Sequence, residues 1–261
     1  MSRNNFQPGF INVYEEPDQH SELWRYMDFA KFVSMLSTQC LWASSAASFD
    51  DPFEGAIGLY DDRPAYIRTQ IENIKQDWQS IGNEITYENY LDIKKQIHEV
   101  EADKIKRRNT TYINCWYESQ YESIAMWQLY SKDNQNAVAI RSSFRRIKES
   151  VLDRESTQIG RVNYIDYSIP TEVLECFPYW FKSFHFEHEN EVRVVPVVKI
   201  ENFKDAPNGV LLKVDVNILV ACVYVSPWAQ PWLLALVKDV CLKYGLVANV
   251  RESAIAKRPY Y

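Results

Sequence analysis

The chain has 261 residues, a formal net charge of −6 and only 7 glycines. The acidic balance does not favour binding to a nucleic-acid backbone, and neither the Rossmann nor the P-loop glycine pattern is present. A chain of this length buries about 75% of its unfolded surface, so neither a metal nor a disulfide is needed to hold it together.

Residues 1–22 carry Asn, Gln, Pro and Glu without a period and read as a tail or an arm across the surface. From 23 to 261 a single mixed α/β domain of the α+β type is expected. Leu23–Met27 reads as a short strand, Phe29–Ser37 as a helix with Phe32, Val33 and Leu36 on one face, and Cys40–Ser45 as a second strand. Between about 62 and 109, Ile67, Ile71, Ile74, Trp78 and Ile81 recur at helical spacing. The pattern breaks at Gly82-Asn83 and resumes with Tyr90, Ile97 and Val100. This predicts an inserted helical hairpin whose polar faces are solvated or meet a protein partner. The basic residues Lys104, Lys106, Arg107 and Arg108 suit the negative end of its second helix.

Thr111–Tyr117 is strand-like, and Ser119-Gln120-Tyr121-Glu122 fits a capping box before a helix bearing Ile124, Trp127 and Tyr130 on one face. Strands are predicted at Ala137–Arg141, Arg161–Tyr167, Glu191–Val198, Val210–Val216 and Leu219–Val225. Pro231–Tyr244 makes a late amphipathic helix closed by Gly245. The expected architecture is a curved mixed β-sheet with helices packed on it. The five cysteines are odd in number, far apart and without a Cys-x-x-Cys pair, which reads as reduced buried thiols. The longest apolar run, Ile218–Val225, is too short to span a bilayer, and the polar N-terminus has no leader-like stretch. A cytoplasmic protein is the expectation.

The leading candidate for chemistry is Glu189-Asn190-Glu191-Val192-Arg193. As a strand its period of two puts Glu189, Glu191 and Arg193 on one face, and the following Val run implies burial. Buried carboxylates are costly unless paired, so such a cluster is either functional or a structural ion pair. Second is Asn114–Ser123, where Trp116, Glu122, Ser123 and the later Tyr130 offer rings, hydroxyls and helix N–H groups to a ligand. The alternative is that Glu122 completes the cap and the rings are core. Third is the segment from Ser44 to Glu54, in which Asp51 has the option of merely capping a turn. Arg25, between Trp24 and Tyr26, is either an inward anion clamp or an outward snorkel. On a strand, His185 and His188 point to opposite faces, and no zinc site is expected from them.

Taken together, several segments resemble a bacterial domain-of-unknown-function family, the one numbered twenty-nine seventy-one. They include Leu23-Trp24-Arg25-Tyr26-Met27, Leu41-Trp42-Ala43-Ser44, Phe49-Asp50-Asp51-Pro52-Phe53-Glu54-Gly55, Glu122-Ser123-Ile124-Ala125-Met126-Trp127 and Phe186 through Arg193. Asp50 departs from that pattern, which more often has Asn there. The order of Arg, then Ser, then Glu-x-Glu on successive strands is also similar to the arginine–serine–glutamate class of ADP-ribosyltransferases. That resemblance implies NAD as the substrate, with Arg25 on a phosphate or ribose and Ser44 bracing the nicotinamide side. It further implies Glu191 on the adjoining ribose and Glu189 orienting the acceptor, while Trp116 or Tyr130 stacks on a ring.

Two other readings stand beside it. A metal-dependent nuclease would use Asp51, Glu54, Glu189 and Glu191 around Mg²⁺, against the acidic balance of the chain. A non-catalytic ligand-binding or protein-interaction module would use the polar cluster to hold a ligand or the fold. No resident metal is expected under the transferase reading.

Overall fold

The computed structural model describes residues 14–56, 63–80, 95, 106–131, 134–168, 178–200 and 205–257. Its architecture is α+β, built on a nine-stranded mixed sheet. The strands are β1 (Glu22–Asp28), β2 (Cys40–Ser45), β3 (Tyr112–Glu118), β4 (Ala137–Ser143), β5 (Thr157–Arg161), β8 (Glu191–Pro196), β9 (Gly209–Lys213), β10 (Cys222–Val225) and β11 (Asn249–Glu252). Two short strands, β6 (Asn163–Ile165) and β7 (Phe181–Ser183), pair in parallel beside it. The main order is β11-β10-β4-β1-β3-β2-β9, with β8 also on β3 and β5 on β8. All of these pairs are antiparallel except β10 with β11.

Period-two alternation sorts the sheet's side chains onto two faces. Leu23 and Met27 of β1, Val138 and Ile140 of β4, and Val192 and Val194 of β8 enter the main core. Helices α1 (Phe29–Thr38), α4 (Phe144–Ser150) and α6 (Pro231–Lys243) cover it with Phe32, Leu36, Ile147, Leu233 and Val237. The alternate residues form two smaller clusters. Trp24 and Tyr26 join Met126 and Trp127 of α3 (Ile124–Tyr130), whereas Ile113 and Val195 join Trp180 and Phe181.

The early expectations hold closely for β1, α1, β2, β3 and α6. Four others are corrected. Ser119 is not the cap of α3, because Ser123 stands at its N-terminus and its Oγ accepts from Met126 N. In place of one strand over Arg161–Tyr167, β5 ends at Arg161 and the short β6 spans Asn163–Ile165. The apolar stretch 210–225 is not two long strands. Asp215 accepts from Asn217 N and Ile218 N, and this cap starts α5 (Val216–Leu219) between β9 and β10. Finally, Glu189 is not on a strand. It closes a 3₁₀ helix, Phe184–Glu189, and Asn190 turns at φ 37° before β8 begins at Glu191. His185 and His188 therefore lie on that 3₁₀ turn as well.

Residues 14–21 precede β1 and lie outside the helices and strands. Glu15 accepts from Arg161 N at 2.8 Å, and Tyr14 stacks on Trp180 with ring centroids 4.1 Å apart. Of the predicted hairpin, α2 (Arg63–Ser80) supplies the first half. Lys95 and residues 106–110 are helical, and the rest of the hairpin lies outside the described residues, as do 1–13 of the arm. Among the described residues no helix is long and apolar enough to cross a membrane.

A candidate active-site cleft at a split in the sheet

The site begins with an interruption in pairing along β3. This strand meets β1 only at Tyr117 and Glu118, and β2 only at Tyr112 and Ile113. Asn114, Cys115 and Trp116 pair with β8 alone. Beyond Trp24, β1 continues against β4, and before Ser44, β2 lies against β9. The sheet therefore parts between β1 and β2. Backbone groups left by such a parting need other partners, and side chains supply them. Arg25 Nη1 donates to Cys115 O at 2.6 Å, and Asn114 Nδ2 donates to Trp42 O at 2.8 Å.

A cleft of about 170 Å³ opens at this parting. Arg25, Ser44, Trp116, Tyr130, Glu189 and Glu191 all line it, joined by Lys31 from α1 and by Cys115 and Tyr26. The residues singled out as catalytic candidates are thus brought together from three separate stretches of chain. Arg25 forms no ion pair with a carboxylate among the described residues, and burial pushes its pKa down. A cation placed in that way at a cleft wall is a strong site for an anion.

The cleft also carries carboxylates. Glu191 and Arg193 share one side of β8, and Arg193 Nε donates to Glu191 Oε1 at 2.9 Å. Arg193, with no exposure at all, also donates through Nη1 and Nη2 to the two oxygens of Glu54 at 2.6 and 2.8 Å, and through Nη1 to Tyr179 O. Lys182 of β7 donates to Glu189 and lies 3.5 Å from Glu191 Oε2. Tyr130 lies close to Glu189, and the Cys115 thiol lies close to Glu191.

Electrostatics follow from these contacts. Burial pushes the Glu191 carboxyl up, but Arg193 and Lys182 outweigh it and hold it down at about 2. Burial and the nearby Glu191 charge push the Glu54 carboxyl up against the pull of Arg193. Burial works against the Lys182 ammonium, yet Glu191 and Glu189 hold its pKa above the usual value. Burial and the Glu191 charge raise the Cys115 thiol well above its normal range, so it stays a donor rather than a nucleophile. Tyr130 is raised by burial and by Glu189.

Other sequence candidates lie elsewhere. Glu122 turns to the C-terminal segment, accepting from Ser253 Oγ at 2.5 Å and Ala254 N at 2.8 Å. Ser123 serves as the helix cap, and its N–H donates to Tyr26 Oη at 2.9 Å. Asp51 caps its own turn by accepting from Phe53 N, while Glu54 acts behind the wall through Arg193. Trp116 borders the cleft, but it is 2% exposed and its indole N–H is spent on Asn114 Oδ1. Three of the four carboxylates that a nuclease would turn toward Mg²⁺ already carry cations, Glu54 and Glu191 on Arg193 and Glu189 on Lys182, while Asp51 is turned to its own loop. Among the described residues no group of three or more His, Cys, Asp or Glu side chains is placed to hold a metal.

Two residues of the site were not foreseen, Lys182 and Lys31. A single lysine inside the aromatic run Tyr179-Trp180-Phe181-Lys182-Ser183-Phe184 was the available signal for the first. Lys31 sits on the solvent side of α1 and carried none. No protein-family model matches the chain, and no curated protein matches it at a significant level.

Proposed function

We propose that the protein is an NAD-using enzyme of the ADP-ribosyltransferase type, cleaving the bond between nicotinamide and ribose and passing the ADP-ribose to an acceptor. The observation that carries this reading is the convergence of Arg25, Ser44, Glu189 and Glu191 on one cleft, a cation and two carboxylates lining the same space. In this reading Arg25 takes a phosphate of the dinucleotide, and Ser44 braces the nicotinamide side.

Glu191, held ionised by Arg193 and Lys182, faces the ribose. When the C–N bond breaks, its electron pair leaves with nicotinamide and the sugar becomes oxocarbenium-like. A fixed carboxylate stabilises that charge without reacting. A depressed pKa suits such a role and does not suit a general acid. Glu189, beside the Tyr130 hydroxyl, orients the acceptor. The cleft volume of about 170 Å³ is below the roughly 300–1,000 Å³ of whole-ligand pockets, so it takes the reacting half of the dinucleotide and leaves the adenosine outside.

Calorimetry with NAD and an assay for released nicotinamide test the proposal. Wild-type protein binds NAD and releases nicotinamide, and Glu191→Gln retains binding while release falls by at least about a hundredfold. Absence of NAD binding to the wild-type protein would sink it. The second reading, a non-catalytic binding module, is favoured by the closed ion-pair network behind the wall. It predicts ligand binding without turnover.

A further inference from the structure

We propose that Lys182 is a positioning residue whose ammonium, set between Glu189 and Glu191, fixes the two carboxylates side by side on the cleft wall. This deepens the transferase reading and rests on it.

The two glutamates are separated only by Asn190, whose left-handed turn swings Glu189 off the line of β8 and into the company of Glu191. Two carboxylates sharing a site repel, and the usual outcome is that one of them takes up a proton. Here a cation stands between them. Lys182 is 6% exposed, donates to Glu189, lies 3.5 Å from Glu191 Oε2 and rests 4.6 Å above the Phe186 ring. The parallel pairing of β7 with β6 sets the lysine at this point, with Tyr164 opposite it in register. Tyr164 Oη in turn accepts from Glu191 N at 2.8 Å, which ties the same small sheet to the start of β8.

The charged and titratable groups facing the pair are few. Glu191 is surrounded by Arg193, Lys182 and Cys115, with Glu54 behind Arg193 and with Tyr130 and Tyr164 nearby. Glu189 is met by Lys182 and Tyr130. Arg193 is committed to Glu54 and Glu191, so among the described residues Lys182 alone supplies a cation to both cleft carboxylates. Within this cluster Glu54, Glu189 and Glu191 stand against Arg193 and Lys182, a formal charge of −1 on the carboxylate side, and a negative charge there suits the positive charge that develops on the sugar. Lys182 stands behind the glutamates and acts on substrate through them.

The test uses full-length protein and the variants Lys182→Gln, which keeps a donor but loses the charge, and Lys182→Arg, which keeps the charge. Two readouts are compared: the carboxyl ¹³C titration of Glu191 by NMR, and the pH profile of kcat for nicotinamide release. Lys182→Gln raises the Glu191 titration and the acid limb of kcat together by about one pH unit or more. KM for NAD stays within about twofold, because the lysine makes no contact in the cleft. Lys182→Arg restores both toward wild type.

The proposal is overturned if Lys182→Gln lowers thermal stability while the Glu191 titration and the kcat profile stay in place. Should Lys182→Gln not fold, Lys182→Arg decides: a folded variant with the wild-type titration supports the role, and a displaced titration refutes it. If wild-type protein does not turn over NAD, the transferase reading fails, yet the NMR arm still judges the lysine.

Discussion

Arg193 grips both oxygens of Glu54, a residue 139 positions earlier in the chain, with no water access to either side chain. The pair ties the Asp51–Glu54 turn to the middle of the sheet and backs the wall that presents Glu191. Removing one partner strands a buried charge. Arg193→Met is expected to destabilise the fold by about 3–5 kcal/mol, measured by urea unfolding. The double variant Arg193→Met, Glu54→Met recovers part of that loss, because one of the two carboxylates stranded by the single change is gone.

Acid sensitivity follows from Glu191. Its carboxyl titrates near 4.5 when unperturbed and at about 2 in the folded chain, with burial opposed and outweighed by Arg193 and Lys182. A carboxyl depressed on folding contributes stability that is present above the unfolded value and lost as pH falls toward the folded one. Between about 4.5 and 2 the wild-type protein should therefore lose stability more steeply than Glu191→Gln. Chemical denaturation at a series of pH values checks this. Parallel slopes for the two proteins would rule it out.

Arg25 offers a test of the cleft's basic wall. Its Nη1 donates across the parting to Cys115 O, and its position at the cleft suits a phosphate. Hydrogen bonds to charged groups contribute roughly 1.5–3 kcal/mol, so Arg25→Met should weaken NAD binding about tenfold or more. Arg25→Lys keeps the charge but loses the fork geometry and should be intermediate. Calorimetry at two salt concentrations separates the electrostatic part, which fades with ionic strength.

The arm makes a separate prediction. A Cβ added at Gly160 of β5 would lie 2.1 Å from the Tyr14 ring, which itself stacks on Trp180. Gly160→Ala should destabilise by about 1–3 kcal/mol through overpacking. In a Tyr14→Ala background the same change costs less, with a coupling of about 1 kcal/mol in a double-mutant cycle. Purely additive effects would mean that the arm does not hold its place in solution.

Much of this arrangement was legible in the residues. Leu23–Met27 and Cys40–Ser45 read as short strands and are β1 and β2, and the Val run after Glu191 marked a buried strand. Glu191 and Arg193 on one side of β8 follow from the period of two. Glu189 was misassigned because the left-handed turn at Asn190 breaks the strand, and Asn gives only a weak signal of it. The capping box failed because two serines compete for the cap and Ser123 sits nearer the helix. The parting of β1 from β2 was out of reach, since strand pairing is decided by residues far apart in the chain. For the same reason Lys182 gave no sign of the glutamates it would meet.

The interruption along β3 has a mechanical side. Between Tyr117 and Ile113 the two halves of the sheet are joined on this edge by two side-chain hydrogen bonds instead of a continuous ladder. β3 then bridges the β1 and β2 sides of the parting, and a ligand lodged in the gap is a splint across them. Splinting adds to stability by mass action, roughly 2.7 kcal/mol when ligand stands at a hundred times its Kd. The melting temperature of this chain thereby becomes a gauge of whatever fills the gap.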